Sequence, residues 1–405
     1  MNPLCKALIL LATFTASLML CAADKTTPKA AAPADSPIYV LTNDDGVQHS
    51  YVGFYLAGGT QGAPTLTFQK TVNTFGKGIG GGFFAAPRVN LLPDPSAQCV
   101  YASNAGTGDV SGINIQAQTL AGVFPASPND AGDANGIGLV LNANYLYAGY
   151  STSNTIATFS ILPGCQLSFL ADVTAAGLNG GSPSGMALHG NILVVAYADG
   201  SIESFNIANG VPTSNGDAQN SAGFAQAYFP EGVDITQDGH FAIFGDSSVP
   251  TTVEVSDISS GKLTPTVLYT VGTATNAVGP GVNSSAVRLS PDQSMLYVTN
   301  NDGGTVSAAF FDKKTGRVKG GCTSATLNYF YNPWAYGGSL ATRDTTGTGG
   351  VLYVAEFGFT GSYIGFLTVQ SDGLTCSLTE ASTSPVQDQF TSGLLSIQVF
   401  PPRPF

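Results

Sequence analysis

The chain has 405 residues, only 10% of them charged, with 50 glycines, 23 prolines and a formal net charge of −12. That composition suits many short strands joined by tight turns, and it excludes both a long-helix protein and a charged disordered chain. So acidic a surface repels phosphate backbones and anionic lipid, which excludes nucleic acid as a partner class.

The first 23 residues read as a secretory signal. Lys6 supplies the positive flank, "ALILLATFTASLML" (7–20) is an apolar stretch too short for a membrane span, and the small residues Ala22 and Ala23 mark the cleavage region. Cys21 raises the alternative of a lipid anchor, but Leu20 is bulky where lipid-attachment signals want a small residue. Removing residues 1–23 takes away Lys6 and no acid, so the charge becomes −12 − 1 = −13. Residues 24–36, rich in Ala, Pro and Thr, read as a flexible tether. No later segment is apolar enough to span a bilayer, so the expectation is an exported protein, periplasmic or extracellular.

From residue 37 onward one hairpin recurs. "IYVLTND" begins at Ile38, "CVYASNAGTGDVSGINI" at Cys99, "YLYAGYSTSNTIATFSI" at Tyr145 and "NILVVAYADGSIESFNI" at Asn191. "HFAIFGDSSVPTTVEVSDI" follows at His240, "MLYVTNNDGGTVSAAFF" at Met295 and "VLYVAEFGFTGSYIGFLTV" at Val351. Each pairs β-branched and aromatic runs across a turn of Asn, Asp, Gly or Ser. Tyr39, Tyr101, Tyr147, Val194, Ala242, Tyr297 and Tyr353 read as equivalent positions. A repeat of about fifty residues is the signature of a four-stranded propeller blade. The other two strands are visible too: an inner one such as "SAVRLSPD" (285–292) before the hairpin, and an outer one such as "QLSFLADV" (166–173) after it.

The chain ends complete the count. Nothing strand-like precedes the first hairpin within residues 37–405, while "GLLSIQVF" (393–400) is left over after the last unit. Placed as the inner strand of blade 1, it closes an all-β, seven-bladed propeller and removes two open edges.

Cys5 and Cys21 fall in the signal. Cys99, Cys165, Cys322 and Cys376 remain, an even number that permits two disulfides in an exported chain or, alternatively, buried thiols. All four read as bottom-side residues of their units, with Cys99–Cys165 and Cys322–Cys376 the least distant pairings. With no C-x-x-C pair and three histidines, the sequence implies neither a metal site nor a cofactor.

The "LYVTNNDGGTVS" repeat, and above all "AVRLSPDQSMLYVTNNDGGTVSAAFFD" (286–312), resembles the seven-bladed lactonase-like propellers that include 6-phosphogluconolactonase and the YVTN-repeat proteins. The resemblance spans essentially all of residues 37–400. It implies this fold and, where catalysis survives, opening of a sugar-derived lactone. This chain departs from the lactonase pattern at the residues that matter for chemistry. Arg288 is kept, but Ala286 stands where those proteins have Glu, Asn301 where they have Arg, and Glu231 where they have His. Their Leu-Gly-x-Asp-Arg segment corresponds to "GDSSVPT" (245–251), which has no Arg.

In such a ring, the loops closing the hairpins and those entering the inner strands share the top face, where ligands sit. His49, Glu231 and Arg288 are the candidate catalytic residues: a base of near-neutral pKa, a carboxylate, and a cation able to polarise a carbonyl. Arg88, Trp334, Tyr336 and Glu356 are the candidate ligand-binding residues, the aromatics as stacking platforms for a sugar. Each has a structural reading beside the functional one, such as Arg288 tying neighbouring blades together through backbone carbonyls. "GKGIGGGFF" (76–84) lacks the Lys-Ser/Thr ending of a phosphate cradle, and "NDAGDANG" (129–136) lacks the Glu of a calcium loop. Three functions stay open: an exported scaffold binding a sugar or lactone on its top face after losing lactonase chemistry, a lactone hydrolase, and a cell-surface protein-interaction module.

Overall fold

The computed structural model describes residues 37–44, 46–79, 91–93, 98–126, 137–226, 229–246, 252–271, 284–300, 304–327, 340–346, 349–358, 361–389 and 394–400. They form seven antiparallel sheets, each with a four-strand path. Six run in chain order. The seventh is built from both ends of the chain: Leu394–Phe400 pairs antiparallel with Tyr39–Asp44, aligning Ile397 with Thr42 and Phe400 with Tyr39. The leftover strand of the sequence is therefore the inner strand of blade 1. Blades 2 to 7 begin with inner strands Leu91–Pro93, Ile137–Leu141, Pro183–His189, Pro230–Ile235, Ser284–Leu289 and Leu340–Thr346.

The ring follows from alternation. Both faces of a blade are apolar, so each must be covered by a neighbour. Second strands bury every described side chain in blades 2, 5 and 6 (Cys99–Asn104, Phe241–Asp246, Met295–Asn300). Seven apolar clusters result, and each one joins two adjacent blades. Val100 and Ala102 pack on Val52 and Phe54 between blades 1 and 2, for example, and Val298 and Leu296 on Ile243 and Val253 between blades 5 and 6. The last seam is closed by Ile397, Val40 and Tyr55 of blade 1 against Tyr353, Ala355 and Phe366 of blade 7. Burying each such side chain stabilises the ring by roughly 1.5–3 kcal/mol.

Both disulfides form, and each staples neighbouring blades. Cys99–Cys165 ties the second strand of blade 2 to the turn before the outer strand of blade 3, and Cys322–Cys376 ties the outer strands of blades 6 and 7. The bottom-side placement needs one correction: Cys322 lies partway along its outer strand, opposite Ala308 in the middle of the third strand. Gly112 faces the first staple, because a Cβ there would collide with the Cys165 carbonyl.

Three further details differ from the sequence reading. In blade 5 the residue opposite Asp234 is Ile243, as Tyr297 is opposite Arg288 in blade 6, so Ile243 rather than Ala242 is the counterpart of Tyr297. Blades 4 and 7 each carry a short fifth strand, Gln219–Asn220 and Val386–Gln387, on their third strand. In blade 5 the outer strand is only Val267–Thr270.

Candidate functional site

We call the top of the ring the end where each second strand turns into the third. Inner strands run from top to bottom, so Glu231 lies at the top of blade 5, and Asp234 and Arg288 lie near the bottom of blades 5 and 6. Glu231 is buried, and the backbone around it is held tightly against blade 4. Ser184 Oγ donates to the Pro230 carbonyl at 3.1 Å, and a Cβ at Gly185 would run into the Glu231 carbonyl.

Arg288 is half-buried, and its charge is felt by Asp234. Asp234 Oδ2 accepts the Leu289 N–H at 2.9 Å, which links the two inner strands, while Oδ1 accepts the Ile235 N–H at 2.9 Å. Burial pushes the Asp234 carboxyl above its ordinary range, and Arg288 and the two N–H groups oppose that rise. Asp234 follows Glu231 by three residues across a register shift between Pro230 and Val233, so their backbones stand at most roughly 10 Å apart. Arg288 is therefore level with Asp234 and below Glu231.

His49 is exposed in the blade 1 hairpin loop, edge-on to Tyr51 with ring centroids 6.4 Å apart. Glu356 is fully buried on the second strand of blade 7, and its carboxylate covers Gly365, where a Cβ would overlap Oε1. Glu356 shares a strand face with Val354, which packs on blade 6, so it belongs to the seam between blades 6 and 7. Arg88, Trp334, Tyr336 and the segment 129–136 lie outside the described residues, as do the signal and tether.

The polar feature the sequence did not single out is a set of seam residues. At or near the top end of the second strand, each blade buries one polar side chain on the face toward the preceding blade. These are Asp44, Asn104, Tyr150, Tyr197, Asp246, Asn300 and Glu356, none more than 1% exposed. Their partners differ. Asn104 Nδ2 donates to Ser111 Oγ at 2.8 Å and to Asp109 Oδ1 at 2.5 Å, and Thr74 Oγ1 of blade 1 donates to Asn104 Oδ1 at 2.7 Å. Asn300 Nδ2 repeats the first two bonds with Ser307 and Thr305, both at 2.9 Å. Tyr150 donates to the Gly108 carbonyl of blade 2 at 3.0 Å, and Tyr197 to Glu203 Oε2 at 2.8 Å.

At two seams burial raises a carboxyl to about 6 or 7. In blade 5, burial and the charge of Glu254 push Asp246 up to about 7, against the Thr252 hydroxyl that donates to it at 3.0 Å. Asp388, on the link entering the closing strand, accepts a short hydrogen bond from the Tyr55 hydroxyl and one from Gln389 N–H at 2.9 Å. Burial nevertheless raises Asp388 to about 6, with those two bonds opposing, and burial together with Asp388 drives the Tyr55 hydroxyl far up. The signal that could have exposed the seams was present: Asn104…Ser111 and Asn300…Ser307 share one seven-residue spacing.

No protein-family model and no curated protein matches the sequence. Solved structures do. A candidate 6-phosphogluconolactonase of Bacteroides fragilis superposes with a TM-score of 0.65 at 16% identity, covering 91% of this chain and 99% of its own. One from Bacteroides uniformis gives 0.64 at 13%, covering 90% and 99%. A periplasmic gluconolactonase of Pseudomonas aeruginosa gives 0.54 at 13%, covering 73% and 84%. At such identities the likeness establishes the shared propeller fold.

Proposed function

We propose that this chain is an exported, lactonase-like propeller that binds a small sugar-derived molecule at the top of its channel and does not turn it over efficiently. One observation carries the reading. Arg288, the cation retained from the lactonase pattern, is level with Asp234 near the bottom of the inner strands, while Glu231 lies at the top, its backbone at most roughly 10 Å from that of Asp234. Ring opening needs a group that activates water and a donor for the developing oxyanion, both aimed at one carbonyl. The offset of Arg288 and Glu231 along their strands supports the reading that they are not aimed at one carbonyl.

Export is supported by two inter-blade disulfides, which persist in oxidising compartments, and by the signal-like first 23 residues. No helix among the described residues is long and apolar enough to cross a membrane. The net charge of −12 favours a neutral ligand over a phosphorylated one.

The test is calorimetry and turnover side by side on the mature protein, with a panel of neutral sugar lactones, their acids and aryl esters. Saturable binding without turnover is the expected result. A second reading, lactone hydrolysis, is favoured by the likeness to a periplasmic gluconolactonase. Clear turnover that disappears in Glu231→Gln establishes that reading and overturns the first.

A further inference from the structure

We infer that the seam between blades 4 and 5 is a pH-set joint, in which Glu254 holds the connector into blade 5 closed while the neighbouring Asp246 is protonated, and the connector loosens when Asp246 ionises. Asn104 with Ser111 and Asn300 with Ser307 are neutral pairs, each closed by an amide that donates to a hydroxyl. Cross-strand pairing puts Asp246 opposite Thr252 and Phe244 opposite Glu254, as it puts Asn300 opposite Thr305 and Val298 opposite Ser307. Blade 5 thus replaces a donor and a hydroxyl with two carboxylates at the same two positions.

Glu254 is fully committed to the connector. Its Oε1 accepts the Gly223 N–H at 2.7 Å, and its Oε2 accepts the Ala222 N–H at 2.9 Å and a short hydrogen bond from Thr266 Oγ1. These bonds fix the start of the 3-10 turn Ala222–Gln226 that leads toward the inner strand of blade 5. Asp246 is only half satisfied: Oδ2 accepts the Thr252 hydroxyl, while Oδ1 is buried without a hydrogen-bond partner.

Nothing described on the facing surfaces supplies a compensating cation. Blade 5 itself brings Glu254, and Glu231 beside Pro230, the residue aligned with Asp246. Blade 4 brings Ala196, Ile202 and the segment Ser221–Gln226, none of them titratable, and one further carboxylate, Asp217, which accepts the Leu263 N–H at 2.8 Å. Its Glu203 is bound by Tyr197, which faces blade 3, and Lys262 of blade 5 is held at the exposed rim by the Asn215 carbonyl. Two buried like charges at one seam repel strongly, so one carboxyl keeps its proton until the solution is near neutral. Asp246, raised to about 7, is that carboxyl. Once it ionises, the repulsion falls on Glu254, which is the acceptor of the Gly223 amide and shares the Ala222 amide with Thr266 Oγ1, and the grip on the connector weakens.

The experiment is hydrogen exchange by mass spectrometry on the intact mature protein at several pH values from about 5 to about 9, corrected for intrinsic rates. Peptides covering 219–226 should lose protection about tenfold or more with a midpoint near neutrality, while peptides over 295–300, where Asn300 bonds the Thr305 and Ser307 hydroxyls, stay flat. Asp246→Asn rebuilds the Asn pattern of blades 2 and 6, and should keep 219–226 protected throughout. Equal pH dependence at both seams, a wild-type midpoint near 4, or pH dependence that persists in Asp246→Asn each overturns the joint. Should that variant not fold, the wild-type midpoint and the comparison of the two seams decide alone.

Discussion

Replacing Ile397 with alanine tests ring closure at its most exposed assumption. Ile397 is completely buried, on a strand contributed by the far end of the chain, and it packs between Val40 and Tyr55 of blade 1 and Tyr353 and Phe366 of blade 7. The change removes three carbons, worth about 0.8 kcal/mol each in transfer, and leaves a cavity that brings the total to about 2–5 kcal/mol. Unfolding entropy of about 2.1 cal/mol/K per residue, taken over the roughly 360 residues from 37 to 400, is about 0.8 kcal/mol/K. The melting temperature should therefore fall by about 3–6 °C in scanning calorimetry. Phe169→Ala is the control. Phe169 is 41% exposed on the outer strand of blade 3, and its loss should shift the melt by no more than about 1 °C. Ending the chain after Ser392 removes the whole strand and uncovers the Tyr39–Asp44 edge, so aggregation is expected. An Ile397→Ala melt indistinguishable from wild type, together with a soluble truncated protein of unchanged stability, would refute closure by this strand.

Non-reducing peptide mapping should recover Cys99–Cys165 and Cys322–Cys376 and no free thiol among the four. On the loop-entropy model, spans of 66 and 54 residues make each bridge worth about 4 kcal/mol, so Cys→Ser at either should lower the melt clearly. Gly185→Ala should destabilise severely, because its Cβ meets the Glu231 backbone of the next inner strand and neither chain can yield. Asp388, held at about 6 against an ordinary 3.8, binds its proton more tightly folded than unfolded. Its contribution is thus fully present below about pH 4 and is lost as pH rises through about 6, a swing of about 3 kcal/mol. Asp388→Asn should make that slope shallower in melts between pH 4 and 8, Asp246 supplying the part that remains, and an unchanged slope removes Asp388 as a source.

The fold was legible because the repeat speaks at two levels at once. Continuous β-branched and aromatic runs mark each second strand as buried on both faces, and the fifty-residue spacing says that such strands need neighbours. The closing strand was found by subtraction, since "GLLSIQVF" had no partner in its own unit. Register was less legible. The repeat counted from His240 aligns Ala242 with Tyr297, but the two bottom turns are equal in length: Thr236 bonds Phe241 as Ser290 bonds Met295, so Phe241 matches Met295 and Ile243 matches Tyr297. The two-residue fifth strands carry no pattern of their own and exist only because the third strand offers an edge.

The site was hardest to read, for a physical reason. Asn300, Asp246 and Asp44 stand where a strand meets a turn, and Asn and Asp in that place are ordinarily turn formers exposed to water. Here strand alternation carries them inward, onto the face already committed to the preceding blade, so residues that read as punctuation become the buried polar contacts of the ring. Glu356 misleads the same way, as a channel candidate by sequence and a seam residue in space. A propeller can vary these positions freely between amide, phenol and carboxylate as long as the seam closes, because seven apolar clusters carry the packing. Where two carboxylates meet, at Asp246 with Glu254, closure depends on a proton, and pH acts on that seam while the neutral ones are unaffected.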